Sequence, residues 1–173
     1  LAKKLRLNRI DLMVNDHSRA RACDGKFPHA TAKEIARVAH LCREAQIELH
    51  LTSWILPCKR YIESEAEFLL PVMRDENVSS LVWDAEEPWT QTRGDLTHAD
   101  AGNLVGELFS SVQVAVSAIT YCDSAKIKPL ADRAQLLIPQ AYATDKNGMD
   151  ARKLVGIAYA RWKREFGRAP TIM

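Results

Sequence analysis

Residues 80–89 read SLVWDAEEPW. An apolar run of strand length gives way within one residue to three carboxylates, Asp84, Glu86 and Glu87, bracketed by Trp83 and Trp89. Like charges so close repel, so the cluster requires cationic partners, a metal or a catalytic role. Side chains on a strand alternate between faces, which puts Asp84 and Glu86 together and turns Ala85 and Glu87 the other way. With roughly 3.3 Å of rise per residue, the same-face pair lies about 7 Å apart at the backbone. If Val82 points inward, both carboxylates stand at the mouth of whatever the strand helps to enclose.

Apolar runs and helical patterns alternate to either side of this stretch. Strands are expected at 9–16 (RIDLMVND), 47–55, 79–86, 112–122 and 136–144. Helical spacing covers 29–46, with Ile35, Val38, Ala39 and Cys42 on one face, then 64–77, 97–111, 128–135 and 150–167. Ser64 and Glu67 form a Ser-x-x-Glu pattern expected to open the second helix, Thr97 is a plausible N-cap, and Pro129 suits a first helical turn. The final APTIM resembles the start of a sixth strand.

Strand and helix in alternation imply a parallel sheet with crossover helices. An open doubly wound sheet and a (β/α)8 TIM-type barrel both satisfy that pattern. No G-x-G-x-x-G or G-x-x-x-x-G-K-[ST] phosphate loop is present. Polar residues instead collect at strand C-terminal ends: Asn15 and Asp16, Thr52 and Trp54, Asp84 and Glu86, Thr120 and Tyr121, Gln140 and Tyr142. A barrel brings all of those ends to one mouth. The expectation is therefore a single α/β barrel domain over residues 1–173. It would be an incomplete barrel of five to six βα units, since about 250 residues is typical of the complete fold.

Composition narrows the function classes. The 173 residues are 47% hydrophobic and 27% charged, with a formal charge of +2, which gives no footprint for nucleic acid. No apolar stretch approaches the roughly 20 residues of a membrane span. The basic N-terminus lacks a signal-peptide core. Cys23, Cys42, Cys58 and Cys122 show no zinc-type spacing and are expected to be free thiols.

An Asp-x-Glu on one strand face suits glycosidic cleavage, because repulsion keeps a proton on one group while the other stays ionised. Trp54, Trp83 and Trp89 offer faces for stacking on a sugar ring. The same motif could instead be a salt-bridged loop, with Arg93 or Lys59 as partner. A third reading is a metal-dependent hydrolase or deacetylase, with His17, His50 and His98 approaching the mouth, although no H-E-x-x-H or H-x-H spacing occurs. Cys122, at a strand end, is a candidate nucleophile that would need a distant histidine as base. The basic stretch 160–168 reads as the solvated side of a last helix with Trp162 and Phe166 packed inward.

The strand LVWDAEEPW, third in a βα series, resembles the Asp-x-Glu strand of the family-25 lysozyme-like glycoside hydrolases. It also resembles related barrels of bacteriophage endolysins and tail or baseplate proteins. The resemblance implies a peptidoglycan-degrading enzyme without cofactor or metal, in which Glu86 is the proton donor. Asp84 would be its partner, able to assist the substrate's own acetamido group. It further implies Asp16, or failing that Asp11, as a first-strand carboxylate, and Gln140 and Tyr142 as sugar contacts. Trp54, Trp89 and Glu87 complete the expected substrate contacts. The expected setting is extracellular or virion-associated, as part of a larger phage or cell-wall protein. The alternative is a non-catalytic barrel module that binds glycan.

Overall fold

The structure is a computed structural model, which describes residues 8–15, 23, 30–76, 78, 80–141 and 150–171. Five parallel strands lie side by side in sequence order: β1 (Arg9–Met13), β2 (Glu48–Trp54), β3 (Ser80–Asp84), β4 (Gln113–Ile119) and β5 (Leu136–Gln140). The helices are α1 (Ala32–Ala45), α2 (Lys59–Glu76), α3 (Glu87–Gln91), α4 (His98–Leu108), α5 (Ser124–Ala131) and α6 (Ala151–Phe166). A doubly wound sheet reverses its strand order at a switch point. This sheet advances one strand at a time without reversal, which is the arrangement of a barrel wall.

The two faces of the sheet are packed differently. Leu49, Leu51, Leu81, Trp83, Val114, Val116 and Leu137 face the helices in one large core. On the other face Val82, Ala115 and Ile138 form a small separate cluster with Leu136. Cα partners in register share a face in parallel strands, so Thr52, Val82 and Ala115 stand in one row and Trp54, Asp84 and Ser117 in the row above. Trp83 is therefore helix-facing. It is fully buried edge-on against Phe109, with centroids 5.0 Å apart, and offers no ring face to a sugar.

Helix boundaries differ from expectation in instructive ways. The capping box forms at Thr31 and Glu34, whose backbone and side-chain groups bond reciprocally, and not at Ser64, which lies inside α2. That helix starts five residues earlier, at Lys59, and runs through Pro71. Proline removes the N–H that would bond the carbonyl of Glu67. Both Pro71 and Glu67 are exposed, so water can take that carbonyl. The expected helix at 128–135 lies earlier, at Ser124–Ala131, with Pro129 near its end. There Pro129 packs against α4, where a Cβ on Gly102 would stand 2.7 Å from the Pro129 Cβ. Residues 167–171 form no strand, but Thr171 donates its N–H to the Leu137 carbonyl at 2.7 Å. The chain thus returns alongside β5.

Cys23 and Cys58 form a disulfide rather than free thiols. Thirty-five positions separate them, and Cys23 follows β1 while Cys58 follows β2, two strands that are neighbours in the sheet. Cys42 and Cys122 are free and buried. Among the described residues, no helix is long and apolar enough to cross a membrane.

Candidate active site

The site grows from the last residue of β3. Asp84 ends that strand on the inner face and is only 6% exposed. Two strands away Gln140 ends β5, and its Nε2 donates to Asp84 Oδ1 at 2.7 Å and to Ser117 Oγ at 2.9 Å. One amide therefore ties β3, β4 and β5 together at the mouth. Burial raises the Asp84 carboxyl first, the nearby Glu86 charge raises it further, and the Gln140 hydrogen bond pulls it partly back. The net result lifts it from 3.8 to about 7. Among the described residues no cation lies within ion-pair distance of Asp84. Lys59, a candidate partner, faces Glu63 at 3.8 Å.

Glu86 follows two residues later, half-buried, where the chain leaves the strand. Ala85 between them is fully buried and donates its N–H to the Ser117 carbonyl at 2.7 Å, holding the segment against β4. Asp84 is thus a buried carboxyl with a raised pKa, and the charge of the more accessible Glu86 contributes to that rise. Neutral carboxyl and carboxylate side by side can supply a proton and stabilise positive charge across the same bond.

Trp54 joins the pair from β2, in register with Asp84 and partly exposed. Its peptide is gripped from behind. Asn15 accepts from the Trp54 N–H at 2.9 Å and donates to the Trp54 carbonyl at 3.2 Å, while Tyr61 donates to the same carbonyl at 2.5 Å. Asn15 also donates to Ser53, and Ser53 to the fully buried Glu65 at 2.8 Å. Burial and the Glu65 charge push the Tyr61 hydroxyl well above its ordinary value, so it stays a donor.

Other expected site residues fall elsewhere. Trp89 is fully buried, its indole N–H donating to the Lys126 carbonyl at 2.8 Å, so it anchors α3 and cannot stack on a ligand. Glu87 is exposed at the first position of α3, past the end of β3. Asp11 is paired with Arg9 at 2.6 Å and in register with His50 and, through it, with Ser80. That places it four residues below Asp84, roughly 13 Å along the strand. Asp16, Tyr142 and His17 lie outside the described residues.

The histidines do not gather into a metal centre. His50 bonds Ser80 at the opposite end of β3 from Asp84. His98 donates from Nε2 to the Trp89 carbonyl at 2.9 Å. Among the described residues the one group with metal-ligand spacing is Cys23, Cys58 and Asp95, and its two sulfurs are bonded to each other. The Cys122 thiol is pushed up to about 11 by burial, which leaves it protonated and a poor nucleophile at neutral pH. Thr120 is buried and donates to the Gln140 carbonyl at 2.9 Å, whereas Tyr121 is exposed.

Ser117 and Tyr61 support the site without having been singled out for it, and Asn15, expected only as a polar strand-end residue, holds the Trp54 peptide. Ser117 carried a usable signal: it is the lone hydroxyl in the apolar run VAVSAI, at the parity of Ala115.

No protein-family model and no curated protein matches this sequence. Solved structures do. A chitinase from Rhizomucor miehei superposes with a TM-score of 0.56 at 14% identity, over 88% of this chain and 59% of its own. A family-18 glycoside hydrolase chitinase from the chitin utilization locus of Flavobacterium johnsoniae gives 0.59 at 10% identity, over 92% and 57%. A Group IV chitinase of Ostrinia furnacalis, in complex with allosamidin, gives 0.52 at 8%, over 78% and 43%. The chain thus spans less than three fifths of the length of these relatives. At such identities the likeness speaks for architecture alone: the fold of this chain is that of an incomplete (β/α) TIM-type barrel.

Proposed function

We propose that this chain carries the acid–base end of a glycoside hydrolase that cuts polysaccharides containing N-acetylhexosamine. The observation that carries this reading is the Asp84–Glu86 pair at the C-terminal end of a barrel strand, with Asp84 raised to about 7 and held by Gln140. Barrel enzymes place their chemistry at that end. The chitinase folds above support the same class, while the Asp-x-Glu resemblance to family-25 lysozyme-like enzymes favours peptidoglycan as the polymer. Chitin and peptidoglycan share the N-acetylated sugar that the proposed mechanism uses.

In the resting site the proton kept near neutrality rests on Asp84, the more buried group. A substrate whose acetamido N–H donates to Asp84 favours its ionised form. The displaced proton has a ready base in Glu86, which then holds it beside the leaving oxygen. Asp84 orients the acetamido group so that its carbonyl oxygen attacks the anomeric carbon, while Glu86 protonates the departing sugar. Water then opens the resulting intermediate with Glu86 as base. Substrate assistance of this kind is a known departure from the two-carboxylate scheme. Trp54, fixed by Asn15 and Tyr61, supplies the stacking face.

The Cys23–Cys58 disulfide supports an oxidising, extracellular or virion-associated setting. The test is release of soluble N-acetylated sugars from colloidal chitin and from purified peptidoglycan, with Glu86→Gln as control. Removing a general acid costs on the order of 100- to 10,000-fold. Release from one polymer and a loss of that size in the variant are expected. Binding without release from either polymer would show a non-catalytic module and overturn the reading.

A further inference from the structure

Away from the carboxylate pair, one cluster of side chains joins three separate connections of the chain, and the mechanism above makes no use of it. Cys23 follows β1, Cys58 lies between β2 and α2, and Asp95 lies between α3 and α4. One atom from each, two sulfurs and a carboxylate oxygen, lies within 4.8 Å of the others. In the oxidised chain the sulfurs are bonded to each other and offer no thiolate. We propose that, once this bond is reduced, Cys23, Cys58 and Asp95 bind a divalent cation of the zinc class. Disulfide and metal are then alternative locks on the same three connections. The proposal is independent of the glycosidase reading.

The donors select the ion. Reduction by a dithiol delivers two electrons and two protons to the sulfurs and leaves the dithiol as a cyclic disulfide. Metal binding releases both thiol protons, because the thiolate is the ligand. Two thiolates with one carboxylate suit zinc and its relatives, whereas magnesium and calcium take all-oxygen shells. Tetrahedral zinc, with bonds of about 2.3 Å to sulfur, keeps its sulfurs about 3.8 Å apart. With the two Cα atoms 5.5 Å apart, side-chain rotation reaches that separation.

Asp95 is built into the cluster. A Cβ on Gly94 would stand 1.9 Å from the Pro57 carbonyl oxygen, so glycine lets this segment lie against Pro57 and Cys58. On the other side of Asp95, the Leu96 N–H donates to the same carbonyl at 3.2 Å. The Lys59 N–H donates to Asp95 Oδ1 at 2.9 Å. That bond orients the carboxylate, as metal-ligating carboxylates are commonly oriented, and leaves lone pairs for an ion.

Charge and access point the same way. Cys58 precedes α2, a helix of 18 residues, and its carbonyl accepts the Ile62 N–H at 3.0 Å. A helix N-terminus favours a thiolate there. The Asp95 carboxylate opposes a thiolate beside it, and a cation bound between them turns that repulsion into attraction. Cys58 is fully buried and Asp95 exposed, so the cluster is closed on one side and open to water on the other. The open side supplies an entry path and a fourth coordination position. Where thiols are kept reduced the metal ties the connections together, and in an oxidising compartment the disulfide takes over.

The test uses the whole chain, with cobalt(II) as probe and zinc(II) as competitor. Protein reduced by a water-soluble phosphine, which leaves as its oxide with oxygen from water, should bind one cobalt with a thiolate-to-metal charge-transfer band. Zinc should abolish the band. Oxidised protein should show none, nor should Cys23→Ser, which keeps Cys42, Cys58 and Cys122. Asp95→Asn retains an acceptor for the Lys59 N–H and should bind zinc at least about tenfold more weakly. Zinc should also raise the Tm of the reduced parent and leave that of the oxidised parent unchanged. If reduction alone unfolds the chain, zinc should restore its circular dichroism. An equal band in oxidised protein or in Cys23→Ser would overturn the proposal. So would a reduced parent with no band and no response of its fold to zinc. Parent-like zinc affinity in Asp95→Asn would overturn the carboxylate as third ligand.

Discussion

Replacing Asp84 by asparagine tests the electrostatics of the site without requiring a substrate. The side chain keeps its shape, and its Oδ1 can still accept from Gln140 Nε2, at 2.7 Å in the parent. What changes is ionisation. In the folded protein the Asp84 carboxyl is raised from 3.8 to about 7, chiefly by burial and then by the Glu86 charge. Between those values the folded state holds a proton that the unfolded chain has released. The associated stability is present below about pH 4 and is lost as pH rises through 7. A shift of roughly three units at about 1.4 kcal/mol each makes the full loss about 4 kcal/mol. The amide of D84N cannot ionise, so the variant should gain on the parent by up to that amount between about pH 3.5 and about pH 8. Urea unfolding at half-unit pH intervals measures the difference. Glu86→Gln, which removes the second cause, should shrink the effect without abolishing it. A stability difference between D84N and parent that stays constant across the range would refute the account, because Asp84 would then be an ordinary carboxylate.

Three further outcomes follow from other contacts. Gln140→Leu removes the donor that partly offsets the rise at Asp84, so the group should titrate higher still, seen as an upward move of its limb in a pH–rate profile or by NMR titration. Gly102→Ala would ordinarily favour a helix by about 1 kcal/mol. Here the added Cβ meets Pro129 at 2.7 Å, so the sign should reverse to a loss of roughly 1–3 kcal/mol in chemical unfolding. Reducing the Cys23–Cys58 bond releases a loop spanning 35 positions, and chain entropy puts the cost at about 3–4 kcal/mol, measured as a drop in Tm with reductant.

The barrel was legible because two kinds of signal agree. Helical and strand periodicities alternate, and Trp54, Asp84 and Gln140 each sit at a strand's C-terminal end. Parity placed Asp84 on the inner face, in register with Trp54 and Ser117. Parity fails once the strand ends. Trp89 sits in a helix that the sequence did not announce, and tertiary packing decided its burial. The Ser64 pattern misled because a capping box needs a chain that enters the helix there, and α2 had begun at Lys59 to bury Tyr61 and Ile62. The disulfide was invisible because the neighbouring of β1 and β2 is a property of strand order, which local sequence does not carry. Ser53 carried no signal, and Asn15 was legible only as a strand-end polar residue, since the role of both lies in bonding one peptide, that of Trp54.

The central claim is that Glu86 gives its proton to the leaving sugar oxygen while Asp84 holds the reacting sugar. The most direct measurement is the rate of Glu86→Gln on two chitobiosides, one with a natural sugar leaving group and one with 2,4-dinitrophenolate, which departs without protonation. The account predicts a loss of at least about 100-fold on the natural substrate and a much smaller loss on the activated one. Equal losses on both, or full activity on the natural substrate, would contradict it.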